Sequence, residues 1–288
     1  MRILVLGVSG LLGNAVYKVL SEEQEWFVFG TIRAQELKSL FSPKLARNLV
    51  AGVDVLDQMN LIKVFEKIRP DVVINCISLA RPLLNVAHPL DIIPIYALLP
   101  HRLAHLCSLT GARLINISTD GVFSGAKGQY SEDDIPDARD LYGLSKLMGE
   151  VSAPHTITLR TSMLGHELHG GSGLLAWFLS QQEACRCFSR VIFSGLPTVI
   201  LAKIIRDYVI PKPELSGIYH IAARPISKFD LLKLVAEIYE KEIKLIPVDE
   251  PVCDRSLNSS RFNAVTGYVV PEWPELIRTM RDYKLMNG

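Results

Sequence analysis

The stretch Arg2-Ile-Leu-Val-Leu-Gly7-Val-Ser-Gly10-Leu-Leu-Gly13 decides the fold of this 288-residue chain. The almost wholly apolar run at 2–7 is typical of a strand buried on both faces in a parallel sheet. The glycines permit a tight turn where a helix begins, and the free N–H groups at that helix end can hold a pyrophosphate. The G-x-x-G-x-x-G spacing differs from the more common G-x-G-x-x-G, and a glycine turn without a ligand is the alternative.

Strand and helix patterns alternate from this turn onward. Strands are predicted at 2–7, 26–32, 48–53, 71–77, 114–118 and 156–161, and helices at 11–23, 35–42, 57–69, 97–109 and around Tyr142. Strands separated by helices predict a parallel sheet covered on both faces. We therefore expect an α/β protein with a Rossmann-type doubly wound sheet in residues 1–160.

The distal part, residues 161–288, alternates more weakly. Its predicted elements are helices at 173–183, 197–209 and 227–239 and a strand at 217–221. These predict a small α/β substrate lobe that closes over the carboxyl ends of the strands, although some segments can return to the first domain.

Composition limits the classes of partner. Charged residues make up 21% and the net charge is +1, so neither nucleic acid nor an anionic membrane surface is an expected partner. We find no apolar run of membrane-span length and no signal-peptide pattern, so we expect a cytoplasmic protein without membrane insertion. The five cysteines contain no C-x-x-C pair, which favours reduced, mostly buried thiols.

The segment Tyr142-Gly-Leu-Ser-Lys146 is the candidate catalytic centre. Residues four apart share one helix face, and an ammonium beside a phenol, whose pKa is normally about 10, favours the ionised form. Such a tyrosine can give a proton to a developing alkoxide. The same spacing occurs on solvated helix faces, but the earlier segment Ile115-Asn-Ile-Ser-Thr-Asp120 and the glycine turn favour a site.

The end of the second strand bears on cofactor choice. NAD-binding proteins usually place an acid there, whereas NADP-binding proteins offer an arginine to the 2′-phosphate. This chain has Thr31 and Arg33 and no acid before Glu36, which favours NADP(H) while leaving NAD(H) possible. The alternative is that Arg33 is an ordinary surface cation.

Other distal residues receive simpler interpretations. Arg255 is a candidate for a diphosphate, because the guanidinium fork suits phosphate, and a structural salt bridge is the alternative. His166 and His169 lack a third ligand, so we expect no metal site. Residues 174–179 are interpreted as the core face of a helix, and Arg186 to Arg190 as a solvated loop.

Taken together, these motifs resemble an extended short-chain dehydrogenase/reductase, in particular the dTDP-4-dehydrorhamnose reductase-like branch. The resemblance covers nearly the whole chain. Besides the glycine turn it includes Asn75-Cys-Ile-Ser78, Ser118-Thr-Asp-Gly-Val-Phe123, Tyr142-Gly-Leu-Ser-Lys-Leu-Met-Gly-Glu150, Leu159-Arg-Thr-Ser162, Gly195-Leu-Pro-Thr198, Gly217-Ile-Tyr-His220 and Asp254-Arg-Ser-Leu-Asn-Ser-Ser260.

The resemblance implies roles for individual residues. Thr119 would bond the substrate carbonyl oxygen, Tyr142 would donate the proton, and Lys146 would hold the nicotinamide ribose and keep the tyrosine's pKa low. Thr31 and Arg33, at the end of the second strand, join the cofactor contacts that the resemblance implies. The full set of candidate cofactor contacts is Gly7, Ser9, Gly10, Leu11, Leu12, Gly13, Thr31, Arg33, Asp54, Val55, Cys76, Ile77, Ser78, Tyr142 and Lys146. The candidate substrate contacts are Thr119, Asp120, Val122, Met163, Thr198 and Arg255.

The chain departs from the family pattern at three positions. Tyr96 stands where an asparagine is usual, Gly121 where a tyrosine follows Thr-Asp, and Met163 where rhamnose-pathway enzymes commonly have an aromatic residue. The last two lie at the expected sugar pocket, so the substrate need not be the rhamnose precursor.

The expected function is NADPH-dependent reduction of the 4-keto group of a nucleotide-activated 6-deoxy sugar, in surface polysaccharide or deoxysugar biosynthesis. A nucleotide-sugar epimerase or dehydratase with a retained cofactor, and a catalytically silent NADP-binding regulatory subunit, are the alternatives. A homodimer is possible. The residues do not distinguish UDP from dTDP, nor one sugar from another.

Overall fold

A sheet of seven parallel strands forms the centre of the computed structural model, which describes residues 1–79 and 88–287, with side chains up to residue 284. In spatial order the strands are β11 (Gly217–His220), β6 (Thr156–Thr161), β5 (Arg113–Thr119), β4 (Val72–Asn75), β1 (Arg2–Leu6), β2 (Phe27–Thr31) and β3 (Leu49–Val50). The order 3-2-1-4-5-6 is that of a doubly wound sheet. The predicted Rossmann-type fold is therefore confirmed.

Helices cover both faces of this sheet. They are α1 (Leu11–Leu20), α2 (Pro43–Ala46), α3 (Gln58–Ile68), α4 (Pro89–Ile93), α5 (Leu99–Thr110), α6 (Leu141–Met148), α7 (Leu174–Ser180), α8 (Thr198–Ile204), α9 (Lys228–Ile238), α10 (Ser260–Thr266) and α11 (Trp273–Asn287). Ile3 and Val5 of β1 belong to one apolar core with residues of α1, α8 and α11, and Leu4 and Leu6 to another with residues of α3 and α5. All four are fully buried, which explains the unbroken apolar run.

The distal half contributes small sheets and one strand of the central sheet. The short strands pair as β7 (Met163–Leu164) with β10 (Leu196–Pro197), β9 (Val191–Phe193) with β12 (Ile226–Ser227) and β14 (Cys253–Asp254), and β8 (Ala184–Phe188) with β13 (Lys244–Val248). Strand β11 instead pairs in parallel with β6. The central sheet is thus completed by a segment from beyond residue 161.

Several predicted elements differ in extent from those observed. The helix expected at 35–42 is a 3₁₀ turn over Gln35–Leu40 followed by α2. The helix expected at 97–109 begins earlier, because α4 continues through a π-helical segment, Pro94–Leu98, into α5. The helix expected at 57–69 is α3, whose N-cap Asp57 accepts a hydrogen bond from the Met59 N–H at 2.8 Å.

The interpretation of Arg186 to Arg190 as a solvated loop is wrong for its first part. Residues up to Phe188 belong to β8, in which Cys185 and Cys187 are buried and Arg186 is exposed. Alternate residues of a strand point to opposite faces, so one face of β8 packs on the core while the other meets solvent.

One helical stretch, Pro89–Thr110, is long and apolar enough to qualify by length and composition as a membrane span. Its inner face is buried through Tyr96, Leu99, Leu103 and Cys107, all 2% exposed or less. A partly buried core helix of a globular protein satisfies the same test, so this stretch is weak evidence for a membrane segment.

Candidate active site

The turn between β1 and α1 has the geometry that the glycines predict. Gly7 adopts a φ of +79°, in the left-handed region that favours glycine. Its carbonyl oxygen accepts a hydrogen bond from the Gly10 N–H at 3.0 Å. A Cβ at Gly13 would overlap that same carbonyl group, so only glycine allows α1 to pack this closely on the turn.

The N-terminus of α1 is suited to an anion. Its N-cap is Gly10, which has no side-chain hydrogen bond, and its first turn holds no acid. The first N–H groups of a helix have no partner within the helix, and the helix dipole adds positive potential there. Among the described residues no side chain caps this end, so it fits the pyrophosphate of a dinucleotide.

The other predicted cofactor residues follow neighbouring strands, and in a parallel sheet their carboxyl ends share one edge. Thr31 ends β2 and Arg33 follows it, Asp54 and Val55 follow β3, and Cys76, Ile77 and Ser78 follow β4. Buried Thr31 accepts a hydrogen bond from the Gly7 N–H at 3.2 Å, which ties β2 to the glycine turn. Arg33 is exposed, and no acidic partner for it is found in residues 1–79 and 88–287.

Tyr142 and Lys146 lie one turn apart on α6. The helix begins after Asp140, whose carboxylate accepts a hydrogen bond from the Gly143 N–H at 2.8 Å. The Lys146 ammonium donates to the Ile117 carbonyl oxygen of β5 at 2.6 Å. Burial lowers the pKa of Lys146 to about 8, against the opposing effect of the Glu150 carboxylate. This bond of Lys146 ties the helix that carries Tyr142 and Lys146, hereafter the α6 pair, to the central sheet.

Thr119 and Tyr142 both lie beside Gly121. A Cβ at Gly121 would lie 3.2 Å from Tyr142 Cε1 and 3.3 Å from Thr119 Oγ1, so a side chain here would crowd both. The Thr119 hydroxyl accepts from the Gly121 N–H at 3.0 Å and donates to the Asp120 carboxyl at 3.1 Å. Burial raises the pKa of Asp120, while Thr119 and the positive charge of Arg255 act in the opposite direction.

The predicted substrate residues divide between two places. Arg255 lines a cavity of about 340 Å³ together with Arg139, Asp140 and Ser124, and its Nε is buried without a hydrogen bond among the described residues. Thr198 instead lines a separate cavity of about 190 Å³ beside α1.

Val122 and Met163 contribute to the apolar cores, and neither is among the residues that line these two cavities. Val122 is fully buried beside Phe123, and Met163 is half-buried against the larger apolar core.

One of the two histidines considered for a metal, His166, contacts a tyrosine. His166 Nε2 lies 2.9 Å from the Tyr239 hydroxyl, and burial lowers its pKa to about 4. Within the described residues there is no group of three or more His, Cys, Asp or Glu side chains placed to hold a metal ion.

Several buried polar contacts near the site were not predicted from the sequence, although their residues belong to the quoted motifs. Glu150 and Arg160 form a buried ion pair at 2.7 Å, and the Ser118 hydroxyl also donates to Glu150 at 2.7 Å. Asn75 donates through its amide to Asn116 at 2.9 Å, which joins the ends of β4 and β5. Polar residues inside the otherwise apolar strand patterns were the available signal, since a buried polar group requires a partner.

Comparison with known proteins assigns the family. A model of the RmlD substrate binding domain family matches residues 1–282. The chain belongs to this family. The expected likeness to extended short-chain dehydrogenases of the dTDP-4-dehydrorhamnose reductase type is thereby confirmed.

The curated relatives of this RmlD-family chain include a subunit of another enzyme and a probable reductase. Methionine adenosyltransferase 2 subunit beta of Xenopus tropicalis is 27% identical over 274 residues, covering 87% of this chain and 76% of that protein. A probable low-salt glycan biosynthesis reductase of Haloferax volcanii is 31% identical over 165 residues, covering 56% and 52%.

Solved structures share the fold over almost the full length. The dTDP-4-dehydrorhamnose reductase of Bacillus anthracis in complex with NADP has a TM-score of 0.80 at 22% identity and covers 98% of this chain and 99% of that one. A hypothetical dTDP-4-dehydrorhamnose reductase of Sulfolobus tokodaii has a TM-score of 0.76 at 26% identity and covers 95% and 98%.

Proposed function

We propose that this RmlD-family protein is a reductase that uses a nicotinamide dinucleotide, preferably NADPH, to reduce the 4-keto group of a nucleotide-activated 6-deoxy sugar. One observation carries the proposal. Thr119 and Tyr142 both lie beside Gly121, with Lys146 one turn from Tyr142, at the sheet edge where α1 presents an uncapped N-terminus. The proposed proton donor would thus lie at the same edge as a helix end that suits an anion.

The chain's own residues divide the work of binding the cofactor. The α1 N-terminus and the glycine turn would hold the pyrophosphate, and Arg33 would meet a 2′-phosphate. Asp54 and Val55 would lie near the adenine, and Cys76, Ile77 and Ser78 would line the groove towards Lys146. A bound nicotinamide supplies the hydride, and the protein supplies its orientation and the proton.

Proton transfer is assigned to the α6 pair. Tyr142 would donate to the oxygen of the reduced carbonyl, as a general acid within hydrogen-bond reach of the substrate. Thr119 would help hold that oxygen once its hydroxyl turns from Asp120 to the substrate. Lys146 would favour the phenolate that remains, because it is an adjacent positive charge in a buried site.

The substrate side favours an anionic ligand. Arg139 and Arg255 line the same cavity, and Asp120 lies within the electrostatic reach of Arg255 and Lys228. Two guanidinium groups can form charge-assisted bonds with the oxygens of a diphosphate. Asp120 and Val122 are assigned to the sugar, with Met163 and Thr198 completing the pocket once substrate is bound.

The test is product analysis with a panel of UDP- and dTDP-linked 4-keto-6-deoxy sugars. NADPH should be consumed one-for-one with product, and mass spectrometry should find the product heavier than its substrate by two hydrogen atoms. Tyr142→Phe should reduce turnover by about two to four orders of magnitude and leave NADPH affinity within a few-fold. Tyr208→Phe is the matched control and should keep full turnover. The Tyr208 ring packs on Tyr268, with 5.1 Å between the ring centroids. A product of unchanged mass would indicate an epimerase, and loss of water a dehydratase.

A second candidate is a cofactor-binding subunit of another enzyme. The observation that favours it is the similarity to methionine adenosyltransferase 2 subunit beta, which spans 87% of the chain. In that case the protein should co-elute with a methionine adenosyltransferase catalytic chain in size-exclusion chromatography and oxidise NADPH with no member of the panel.

A cytoplasmic location and a homodimer belong to the primary proposal, that of a reductase. Cell fractionation tests the location, and light scattering tests the homodimer.

A further inference from the structure

Tyr96 lies in the candidate site although it is distant in sequence from the residues assigned to catalysis. It is 1% exposed, within the π-helical segment Pro94–Leu98. A Cβ at Gly149 would overlap the Tyr96 carbonyl oxygen, so the end of α6 packs directly on this segment. Tyr96 is thus held firmly against the helix that carries Tyr142 and Lys146.

The ring of Tyr96 contacts both members of the α6 pair. Its centroid lies 5.4 Å from that of Tyr142, with the rings at 84°, an edge-to-face arrangement. The Lys146 Nζ lies 5.2 Å from the same centroid, within the range of a cation–π interaction. One ring therefore positions the proposed proton donor and its neighbouring cation together.

The hydroxyl of Tyr96 reaches the segment after β4. It accepts a hydrogen bond from the Leu79 N–H at 2.7 Å and lies 3.0 Å from the Ser78 hydroxyl. Ser78 is one of the residues proposed to line the cofactor groove. Tyr96 therefore connects the wall of that groove to the α6 pair.

The face of the Tyr96 ring favours the charged form of Lys146. The ammonium is buried, and its neighbours are the Ile117 carbonyl oxygen on β5, the Cys76 thiol after β4, Tyr142 on α6, Glu150 just after α6, and Tyr96 itself. Desolvation opposes the charged form, whereas the carbonyl oxygen, Glu150 and the electron-rich ring favour it. Loss of the ring face would remove part of this compensation.

We propose that Tyr96 is a positioning residue which uses its ring to hold the Lys146 ammonium beside Tyr142 and its hydroxyl to hold the cofactor-groove segment after β4. The inference rests on the proposed cofactor site. It adds to that site a residue whose ring contacts the α6 pair and whose hydroxyl contacts the segment after β4.

The test measures NADPH affinity by fluorescence from about pH 6.5 to about pH 9.5, so that no turnover is required. In the wild type, affinity should fall as the pH rises through about 8, because the Lys146 charge is lost. Tyr96→Leu should move the midpoint of this fall down by about one pH unit, since the cation–π contact is removed. Tyr96→Phe should keep the midpoint and weaken affinity by about two- to tenfold at every pH, since only the hydroxyl bonds are lost.

Leu98→Ala is the control, because Leu98 is 44% exposed on the same π-helical segment and should change neither quantity. Circular dichroism of each variant confirms folding. An unshifted midpoint in Tyr96→Leu, or equal shifts in both Tyr96 variants, would overturn the inference and leave the reductase proposal standing. If the wild type binds neither NADPH nor NADH, both proposals are overturned.

Discussion

A single side chain after β2 is expected to choose between the two nicotinamide dinucleotides. Arg33 is exposed at the sheet edge, and its guanidinium can form a paired, charge-assisted contact with a 2′-phosphate. Arg33→Ala should therefore weaken NADPH binding by about ten- to a hundredfold, as the loss of roughly 1.5–3 kcal/mol implies. NADH affinity, measured in the same calorimetric titrations, should change little.

The matched control for this prediction is Arg47→Ala. Arg47 is also exposed and follows α2 in the same region of the chain. If Arg33→Ala weakens both cofactors equally, or if Arg47→Ala has the same effect, Arg33 contributes only to the general surface charge.

At the level of residues, the sequence predicted local relations better than distant ones. The spacing of Tyr142 and Lys146 placed them on one helix, because helical periodicity fixes which side chains share a face. The contact of Tyr96 with both was not predicted, because it depends on how α6 packs on a segment 46 positions earlier. That Thr198 and Arg255 line different cavities was not predicted either, because it also depends on packing between residues distant in sequence.

At the level of elements, type was more predictable than extent. The buried strands β1 and β4 followed from apolar runs, since each is covered on both faces. The π-helical continuations Pro94–Leu98 and Ile205–Val209 left no comparable signal, because they change the hydrogen-bond pattern but not the apolar spacing. Strand β8 was not predicted, because its exposed arginine was interpreted as part of a loop. The alternation of buried cysteines with exposed residues is the pattern typical of a strand.

The β1–α1 unit should be intolerant of the smallest added side chain. Gly13→Ala would place a methyl group against the backbone of Gly7 and Val8, which cannot move aside as a flexible side chain could. We expect a loss of about 1–3 kcal/mol in the free energy of unfolding, typical of overpacking, together with loss of cofactor binding. Urea denaturation and fluorescence titration measure the two effects.

Gly52→Ala separates this steric effect from the conformational one. Gly52 has a φ of +75° but nothing within 4 Å of a Cβ, so the variant carries only the cost of left-handed backbone, about 1–2 kcal/mol. It should retain cofactor binding. A Gly13→Ala protein that binds NADPH as the wild type does would show that the turn relaxes at little cost.

On the scale of the whole molecule, a buried polar network joins the two halves of the chain. Arg160 of β6 pairs with Glu150 and also lies 3.2 Å from His220 Nε2 on β11. His220 Nδ1 lies 3.0 Å from the Tyr130 carbonyl oxygen, which can only accept, so Nδ1 carries the proton and Nε2 accepts from Arg160. The network thus requires a neutral imidazole where β11 joins the central sheet.

This requirement predicts how stability depends on pH. Burial, assisted by the charge of Arg160, lowers the pKa of His220 to about 4 from its usual value of 6.5. Between those values the unfolded chain binds a proton that the folded protein excludes, so the free energy of unfolding falls as the pH falls. His220 alone should lower it by about 2 kcal/mol between about pH 7 and about pH 5, measured by urea denaturation.

His220→Gln isolates this contribution, because an amide can still donate to the Tyr130 carbonyl and accept from Arg160 but does not titrate. The variant should lose less stability than the wild type over the same pH interval, whatever its stability near neutrality. His105→Gln, at an exposed histidine, should keep the wild-type dependence. If His220→Gln loses as much stability on acidification as the wild type, a charged imidazole is tolerated at this position. The link between β6 and β11 would then not depend on the neutral form.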